Sequence, residues 1–348
     1  MNPENADPIR WNRRTFLAGL VSFGLLRTLP AQIVTPGVPH LTLPWEEAGR
    51  SFRPPVITTL DISPDSRYLA AAGDDHLVRI WDLESQTLLH TLKGHVDWVR
   101  CVRFHPGGKT LASAGDDRRV RMWNVENGSW VRDLSASKRV IYQLDFHPLG
   151  QQLATVGFDQ ELQILDTQSG RVTERLECPV GDMRTVQYSP DGLLLAAGGR
   201  HGVLRMWNVP LHQIARDLQV KSRRLRTLSF SLDGSQLAAA GEERQIRIWD
   251  ALSGMQTHSI QNPSGSIISM CYGEAGQLLT GGSDNVIRSW NLTTSQEQYQ
   301  LKGHLGSVAA VKYDSSRKQV VSGSFDCTVR VWNLADAGLA ARDPFRVQ

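Results

Sequence analysis

The chain has 348 residues, of which 41% are hydrophobic and 21% are charged. This usage is ordinary for globular proteins and excludes a disordered, collagen-like or disulfide-dense chain. The formal charge is +3, from 38 Lys and Arg against 35 Asp and Glu. Because a general nucleic-acid binder needs a net basic surface, this balance argues against one. Length alone predicts about two domains.

Residues 1–31 are predicted to be an export signal. The apolar run 16–29 has 14 residues, fewer than the roughly 20 of a membrane-spanning helix, and matches the apolar region of a signal peptide. The residues around its start resemble a twin-arginine signal through Arg13, Arg14, Phe16 and Leu17, and they depart from that pattern at Asn12 and Ala18.

We therefore expect export to a periplasmic or extracellular location, with an ordinary secretory signal as the alternative route. Cleavage near Ala31 is one expectation, and retention of the signal as an anchor is the other. No membrane span is predicted after the signal is removed.

The rest of the sequence is predicted to be one repeat. A two-residue unit recurs at spacings of 42, 42, 42, 42, 41 and 42 residues. The seven units are Trp81-Asp82, Trp123-Asn124, Leu165-Asp166, Trp207-Asn208, Trp249-Asp250, Trp290-Asn291 and Trp332-Asn333. Regular repeats of this length are typical of solenoids and propellers.

Each repeat is predicted to contain four short strands. A first apolar segment such as 99–104 is followed by a turn such as His105-Pro106-Gly107-Gly108, where Pro and Gly favour a tight connection. A short strand of small residues comes next. The third strand alternates basic and apolar residues, as in Val120-Arg121-Met122-Trp123, and period-two alternation indicates a strand. A fourth strand follows the Trp.

These features resemble the WD40 repeat family over residues 55–334. The resemblance implies an all-β fold, a seven-bladed β-propeller in which each repeat supplies one four-stranded blade. Blades bury their faces against one another, so the seven repeats form one domain, and this overrides the estimate from length. Residues 32–54 are predicted to be a linker and closing strand, and residues 335–348 a C-terminal tail.

The last blade lacks a fourth strand of its own. After Trp332-Asn333 the sequence is small, polar and helix-prone, which disfavours a strand. We expect the missing outer strand to come from the N-terminal side, within residues 41–52, where it closes the ring and removes an open edge.

Two repeats contain a Ser, a His and an Asp that invite comparison with a hydrolase triad. The residues are His95, Ser113, Asp117 and Trp123 in the second repeat, and His304, Ser322, Asp326 and Trp332 in the seventh. A catalytic site would occur once, and the resemblance implies that these tetrads are structural hydrogen-bond chains from Asp to His to Ser to the Trp indole. Thr155 with Asp159, and Thr280 with Asp284, remain from the pattern in repeats three and six, with Ser137 and Pro263 predicted at the His position.

The sequence predicts no catalytic, cofactor or metal site. The histidines lack metal-ligand spacing, and no phosphate-binding loop is present. Cys101, Cys178, Cys271 and Cys327 share no short spacing, so they are interpreted as single thiols rather than as a disulfide framework.

The leading hypothesis is a non-catalytic, monomeric platform for a protein or peptide partner, since the family commonly binds peptides through one loop face. Trp and Arg are favoured anchors, and an acidic or aromatic peptide would suit them. The candidate partner-binding residues are Trp98, Arg139, Arg184, Arg200, Arg223 and Arg224. Arg226 is expected to point into the channel or the sheet and is not counted among them. The alternatives are solvated loop charges without a binding role, a propeller enzyme or small-ligand binder with its site at the channel mouth, and a subunit of a separate enzyme complex.

Overall fold

The computed structural model describes residues 33–34, 40–43, 54–134, 137–220, 223–274 and 276–334. Every regular element in these ranges is a β-strand. Residues 1–31, predicted to be an export signal, and residues 335–348, predicted to be a tail, lie outside the described residues.

The strands form seven sheets, one per repeat, and the strands that each repeat supplies follow chain order from the innermost outwards. Blade 1 contains β3 (Ile57–Ile62), β4 (Tyr68–Gly73), β5 (Val78–Asp82) and β6 (Thr87–Leu92). Blade 2 contains β7 (Val99–Phe104), β8 (Thr110–Gly115), β9 (Val120–Asn124) and β10 (Trp130–Asp133). Blade 3 contains β11 (Ile141–Phe146), β12 (Gln152–Gly157), β13 (Glu161–Asp166) and β14 (Val172–Glu177).

The later blades continue this pattern. Blade 4 contains β15 (Met183–Tyr188), β16 (Leu194–Gly199), β17 (Val203–Asn208) and β18 (Gln213–Gln219). Blade 5 contains β19 (Leu225–Phe230), β20 (Gln236–Gly241), β21 (Gln245–Asp250) and β22 (Gln256–Gln261). Blade 6 contains β23 (Ile267–Tyr272), β24 (Gln277–Gly282), β25 (Ile287–Asn291) and β26 (Gln296–Leu301). Blade 7 contains β27 (Val308–Asp314), β28 (Gln319–Ser324) and β29 (Val329–Asn333).

The innermost strands close into a ring. Each contacts the innermost strand of the next blade, and β27 contacts β3. The predicted seven-bladed, all-β propeller is therefore confirmed. A glycine with positive φ recurs every 42 residues in the turn after the innermost strand of blades 2 to 6, at Gly108, Gly150, Gly192, Gly234 and Gly276. Glycine tolerates this backbone conformation at no steric cost.

The core lies between the blades rather than within them. Trp123 of blade 2 packs on Ala70, Ala72 and Val78 of blade 1, and its side chain is 2% exposed. The small residues of this second strand thus receive the indole of the following blade, whereas Ala112 and Ala114 of blade 2 pack with Leu165 of blade 3. A single blade has no such partner, which is why repeats of this kind are stable only when stacked.

Side chains also join the innermost strands directly. The backbone N–H groups of Val102 and Phe104 donate to Thr59 Oγ1 at 3.2 Å and to Asp61 Oδ2 at 2.9 Å. Gln143 accepts from Val186 in the same way, at 2.8 Å. The inner edge of a sheet exposes unpaired N–H groups, and these bonds satisfy them from the preceding blade.

An N-terminal segment supplies the outer strand of blade 7. The short strand β2 (His40–Thr42) pairs antiparallel with β29, with Leu41 opposite Val331. The next residue, Leu43, donates its N–H to the Val329 carbonyl at 3.0 Å and is 1% exposed. This strand lies at the N-terminal end of the predicted segment 41–52, and residues 44–53 lie outside the described ranges. A second strand, β1 (Ile33–Val34), pairs parallel with β26 and adds a fifth strand to blade 6.

Candidate functional site at the channel mouth

The antiparallel order of the blades separates two sides of the ring. The loops that enter the first strand and those that join the second to the third lie on one side, here called the mouth side. The turns after the first and the third strands lie on the other, here called the turn side. A first strand of six residues, such as β19, holds the two sides roughly 20 Å apart.

The second residue of each innermost strand points into the channel. Arg100, Tyr142, Arg184 and Arg226 occupy this position in blades 2 to 5 at intervals of 42 residues. All four line a central cavity of about 410 Å³. The equivalent residues of blades 6, 7 and 1 are Ile268, Ala309 and Thr58, so the charged half of the ring spans blades 2 to 5.

Two of these arginines are stacked between aromatic rings. The Arg100 guanidinium carbon lies 4.5 Å from the centre of the Trp98 ring and 5.9 Å from that of Tyr142. The Arg184 carbon lies 3.6 Å from the Tyr142 ring and 5.4 Å from that of Phe158. These five residues form a row that we call the mouth ladder. Stacking of this kind is attractive because the ring face is negative, and it holds the guanidinium groups in fixed positions.

Carboxylates pair with the arginines but do not balance them. Asp116 accepts two hydrogen bonds from Arg100, at 2.8 and 2.5 Å. Asp182 lies 2.6 Å from Arg184 and 3.7 Å from Arg224. Glu242 pairs with Arg224 at 3.1 Å and with Arg226 at 3.2 Å. Four arginines therefore face three carboxylates.

The six predicted partner-binding residues divide into two groups. Trp98, Arg184 and Arg224 are part of the paired network at the mouth, and Trp98 is 38% exposed. The side chains of Arg139, Arg200 and Arg223 are exposed, and no salt bridge links them to another described residue. Arg200 forms an isolated backbone bridge with Arg224, which places the exposed charges beside the network. These three arginines and the four of the network make seven arginines. Against the three carboxylates of the network, they leave an excess of four positive charges.

Sequence reasoning missed Arg100, Tyr142 and Phe158, which complete the ladder. The candidates came from the loops and from the entries of strands, whereas Arg100 and Tyr142 were assigned to the fold because they lie inside strands. The signal was present, since both residues stand at multiples of 42 before Arg184. The expectation that Arg226 points into the channel agrees with its place in the cavity wall. Phe325 of blade 7 also lines this cavity and is 48% exposed.

A second set of charges lies deeper, at the fifth position of the innermost strands. Lys312 lies 2.8 Å from Asp61, and Arg103 lies 3.8 Å from Asp61 and 3.4 Å from Asp145. Two cations thus face two carboxylates across blades 7, 1, 2 and 3. This set is balanced and joins neighbouring blades, so its role in the fold differs from that of the mouth ladder.

The two tetrads form continuous hydrogen-bond chains. The Trp123 indole N–H donates to Ser113 Oγ at 2.7 Å, and Ser113 Oγ lies 2.7 Å from His95 Nε2. His95 Nδ1 lies 2.7 Å from Asp117 Oδ2. Because the Asp117 carboxylate only accepts, His95 Nδ1 carries the hydrogen, and Nε2 of the neutral ring then accepts from the Ser113 hydroxyl.

The second tetrad repeats this geometry. His304 lies 2.9 Å from Asp326 and 2.7 Å from Ser322, and the Trp332 indole donates to Ser322 at 2.8 Å. Ser113 and Ser322 are both 0% exposed, so neither hydroxyl meets a substrate. Burial alone would raise the pKa of Asp117, but the hydrogen bond from His95 holds it below its ordinary value. The pKa of Asp326 is lowered against burial in the same way by His304.

Blades 3 and 6 keep parts of the tetrad. Ser137 donates to Asp159 at 2.7 Å, and the Trp290 indole donates to Thr280 at 2.9 Å. The prediction of Pro263 at the His position of blade 6 is wrong by one residue. His95 precedes Ser113 by 18 residues, and Asn262 stands at that offset from Thr280. Asn262 is 1% exposed, whereas Pro263 is exposed.

The described ranges contain no group of three or more His, Cys, Asp or Glu arranged to hold a metal ion. None of their elements is a helix long and apolar enough to cross a membrane. Cys101, Cys178 and Cys271 are buried, and Cys327 is half-buried. The predicted export-signal residues Arg13, Arg14, Phe16 and Leu17 lie outside the described residues.

Two family models match the chain. The model described as IFT122 first beta-propeller covers residues 56–251, and the WD domain, G-beta repeat model matches residues 254–291 and 295–333. Together they cover strands β3 to β29.

Curated relatives match over shorter segments. Ribosome assembly protein 4 of Saccharomyces cerevisiae is 54% identical over 41 residues, which are 12% of this chain and 8% of that protein. Probable serine/threonine-protein kinase PkwA of Thermomonospora curvata is 34% identical over 121 residues, 28% of this chain and 16% of that protein. Coatomer subunit beta'-1 of Arabidopsis thaliana is 40% identical over 42 residues, 12% of this chain and 5% of that protein. The chain spans less than a fifth of the length of each of these three relatives.

Proposed function

The chain belongs to the WD40-repeat β-propeller family, and on this premise we propose that it is a non-catalytic platform whose channel mouth binds an acidic segment of a partner protein. Propellers of this family typically bind proteins, and the fold alone does not identify the surface. The observation that carries the proposal is the mouth ladder with its flanking arginines. It combines guanidinium groups in fixed positions, fewer carboxylates than arginines, and partly exposed aromatic rings.

The charge distribution favours a carboxylate-bearing partner. The exposed side chains of Arg139, Arg200 and Arg223 are available for new ion pairs, and Arg binds carboxylates in bidentate fashion. Trp98 at 38% exposure and Phe158 at 44% offer aromatic surface beside them. An acidic segment that also carries an apolar side chain would engage both features. Trp and Arg are the residue types that most often dominate binding energy.

The test is binding of a fluorescein-labelled oligoglutamate peptide, followed by anisotropy, with an oligoglutamine peptide of equal length as the ligand control. The double variant Arg200→Glu/Arg223→Glu reverses two exposed charges without breaking an internal ion pair. We expect it to weaken oligoglutamate binding by at least about tenfold, since one true anchor contributes about 1–3 kcal/mol. Binding should also weaken with added salt.

A matched control carries the same charge change on the other side of the ring. Lys109 and Arg171 are exposed turn-side residues, so Lys109→Glu/Arg171→Glu should leave the affinity within about twofold. Trp98→Ala tests the aromatic part and should weaken binding without changing its salt dependence. Equal affinities of the mouth-side and turn-side variants for oligoglutamate would show that the channel mouth is not the binding surface.

We further propose that the protein acts as a single chain after export by the twin-arginine route. The support is the sequence alone, namely Arg13-Arg14 followed by Phe16-Leu17 and an apolar run too short to span a bilayer. Replacing both arginines by lysine tests the route, and its expected outcome is given below with the other predictions.

A further inference from the structure

A set of exposed leucines lies on the turn side of blades 3 to 5, away from the channel mouth. The five residues, here called the leucine arc, are Leu149, Leu193, Leu211, Leu232 and Leu252. All are more than half exposed, from 51% at Leu193 to 84% at Leu252. In blades 1, 2, 6 and 7, the described turns on this side contain no exposed large apolar side chain.

The fold does not account for leucine at these positions. Leu193 directly precedes the second strand of its blade, and Leu252 is the third residue after Trp249. The equivalents of Leu193 are Arg67, Lys109, Gln151, Ser235, Gly276 and Lys318. The equivalents of Leu252 in blades 1 to 4 and 6 are Glu84, Glu126, Gln168, Pro210 and Thr293. None of these residues has a large aliphatic or aromatic side chain, so neither position requires leucine.

The turns that carry the leucine arc touch one another from blade to blade. A Cβ built on Gly192 of blade 4 would collide with the His147 ring of blade 3. A Cβ built on Gly234 of blade 5 would lie 3.5 Å from Pro190 of blade 4. The leucines therefore belong to one surface, and exposed apolar groups gathered on one surface mark an interaction site.

The arc has two rows. Leu149 and Leu232 lie in turns after first strands, and Leu211 and Leu252 lie in turns after third strands. The Leu193 carbonyl accepts from the Val209 N–H of the outer turn at 2.9 Å, so Leu193 lies between the rows. Two strand spacings separate the rows by roughly 10 Å. An α-helix with its side chains has a diameter of about 10–12 Å, so one helix laid across the blades contacts both rows.

The charges around the arc are mostly negative. The six turns of blades 3 to 5, with the residues directly before them, contain four aspartates and one arginine. These residues are Asp166, Asp191, Asp233, Asp250 and Arg171. No salt bridge links the four aspartates to another described residue. Hydrogen bonds from Ser231 and Ser253 lower the pKa of Asp233 and of Asp250, so both are ionised at neutral pH.

We propose that the leucine arc is a docking surface for a basic amphipathic α-helix of a partner protein. The apolar face of the helix packs on the two rows of leucines, in the manner of a helix laid into a groove. Lysine or arginine residues that flank this face lie near the aspartates, which gives the pair complementary charge. The surface is separate from the channel mouth and does not depend on the function proposed above.

The test uses a fluorescein-labelled peptide of leucine and lysine, about 18 residues or five helical turns long, with leucines at helical spacing. Binding to the full chain is followed by anisotropy at physiological salt. One control peptide has the same composition in scrambled order, and another has glutamate in place of lysine. We expect the Leu/Lys helix to bind at least about tenfold more tightly than either control.

The double variant Leu193→Gln/Leu252→Gln introduces the residues that blade 3 has at these positions, Gln151 and Gln168. It should weaken binding of the Leu/Lys helix at least about tenfold, and it should leave the melting temperature unchanged because both side chains are exposed. Leu89→Gln/Leu305→Gln is the matched control. It removes two exposed leucines outside the arc and should keep the affinity within about twofold.

The double variant Asp191→Asn/Asp233→Asn tests the charges. Ser189 Oγ and Leu193 N both donate to Asp191 Oδ1, at 2.5 and 2.9 Å, so an asparagine oxygen can keep both bonds. This variant should bind the Leu/Lys helix less tightly and with a weaker salt dependence. The mouth variant Arg200→Glu/Arg223→Glu should bind the helix no less tightly than wild type, which separates this proposal from the one for the channel mouth.

Three results would each overturn the proposal. The first is equal affinity of wild type for the three peptides, and the second is unchanged affinity of Leu193→Gln/Leu252→Gln for the Leu/Lys helix. The third is binding of phosphatidylcholine vesicles, or self-association in sedimentation, that this double variant abolishes. Such a result would assign the leucine arc to a lipid surface or to a second copy of the chain.

Discussion

Ser113→Ala tests whether the tetrad of blade 2 stabilises the fold. The hydroxyl of Ser113 accepts from the Trp123 indole and donates to His95 Nε2, both at 2.7 Å. Because Ser113 is 0% exposed, solvent does not replace it. The substitution leaves two buried polar groups without this partner, and each loss costs about 1–3 kcal/mol. We expect the free energy of unfolding to fall by about 2–5 kcal/mol.

Urea denaturation at neutral pH measures this change, with the slope of the transition as a check on two-state behaviour. Thr155→Val in blade 3 is the matched control. Thr155 has the equivalent position and is 4% exposed, but Leu165 replaces the indole and Ser137 replaces the histidine. Since neither of these partners is present, the control should lose less than about 1 kcal/mol.

A double-mutant cycle with His95→Phe separates a network from two independent contacts. If the chain of bonds acts as a unit, the double variant loses less than the sum of the single losses, with a coupling of about 1–3 kcal/mol. Strict additivity, or a Ser113→Ala variant within about 0.5 kcal/mol of wild type, would refute the reasoning from the buried hydroxyl.

Three further predictions concern other parts of the molecule. Leu43→Ala, in the N-terminal segment that closes blade 7, should lower the free energy of unfolding in urea by about 2–4 kcal/mol. Leu305→Ala, at 84% exposure, should change it little. Equal losses in the two variants would contradict a stabilising role for the closing segment. The folded-state pKa of Asp326 is lowered, so its stabilising contribution is present above the unfolded value of about 3.9 and is lost as the pH falls through the folded value. Unfolding measured from about pH 5 to about pH 2 should therefore show a flatter loss for Asp326→Asn than for wild type, and identical slopes would exclude this carboxylate. Replacing Arg13 and Arg14 together by Lys should retain a precursor in the cytoplasm, as judged by cell fractionation, and unchanged export would point to the general secretory route.

The repeat made the fold predictable from the sequence. A Trp-Asp or Trp-Asn unit about every 42 residues marks the end of a third strand. The alternation of basic and apolar residues before Trp123 or Trp332 identifies the other residues of that strand. Blade 3 was included even though Leu165 replaces its Trp, because spacing carried the signal. By contrast, the pairing of β1 with β26 involves two residues, Ile33 and Val34, and a pair of apolar residues has no pattern that predicts it.

The mouth ladder was harder to predict because it depends on distances across blades. Trp98 was a candidate as a loop aromatic and Arg184 as a charge at the entry of its strand, whereas Arg100 and Tyr142 lie within strands that pattern analysis assigns to the fold.

The way the ring closes sets the order in which the protein folds. Most blade contacts join residues within about one repeat, whereas Ser66 of blade 1 donates to Asp314 of blade 7 across 248 residues, and β2 reaches β29 across a similar separation. Contacts between distant residues form slowly because loop closure costs chain entropy. The first and last blades therefore meet only after blade 7 has been synthesised, and until then the repeats form an open arc with an exposed edge at each end. Closure of the ring covers those two edges and so protects them from aggregation and from proteases.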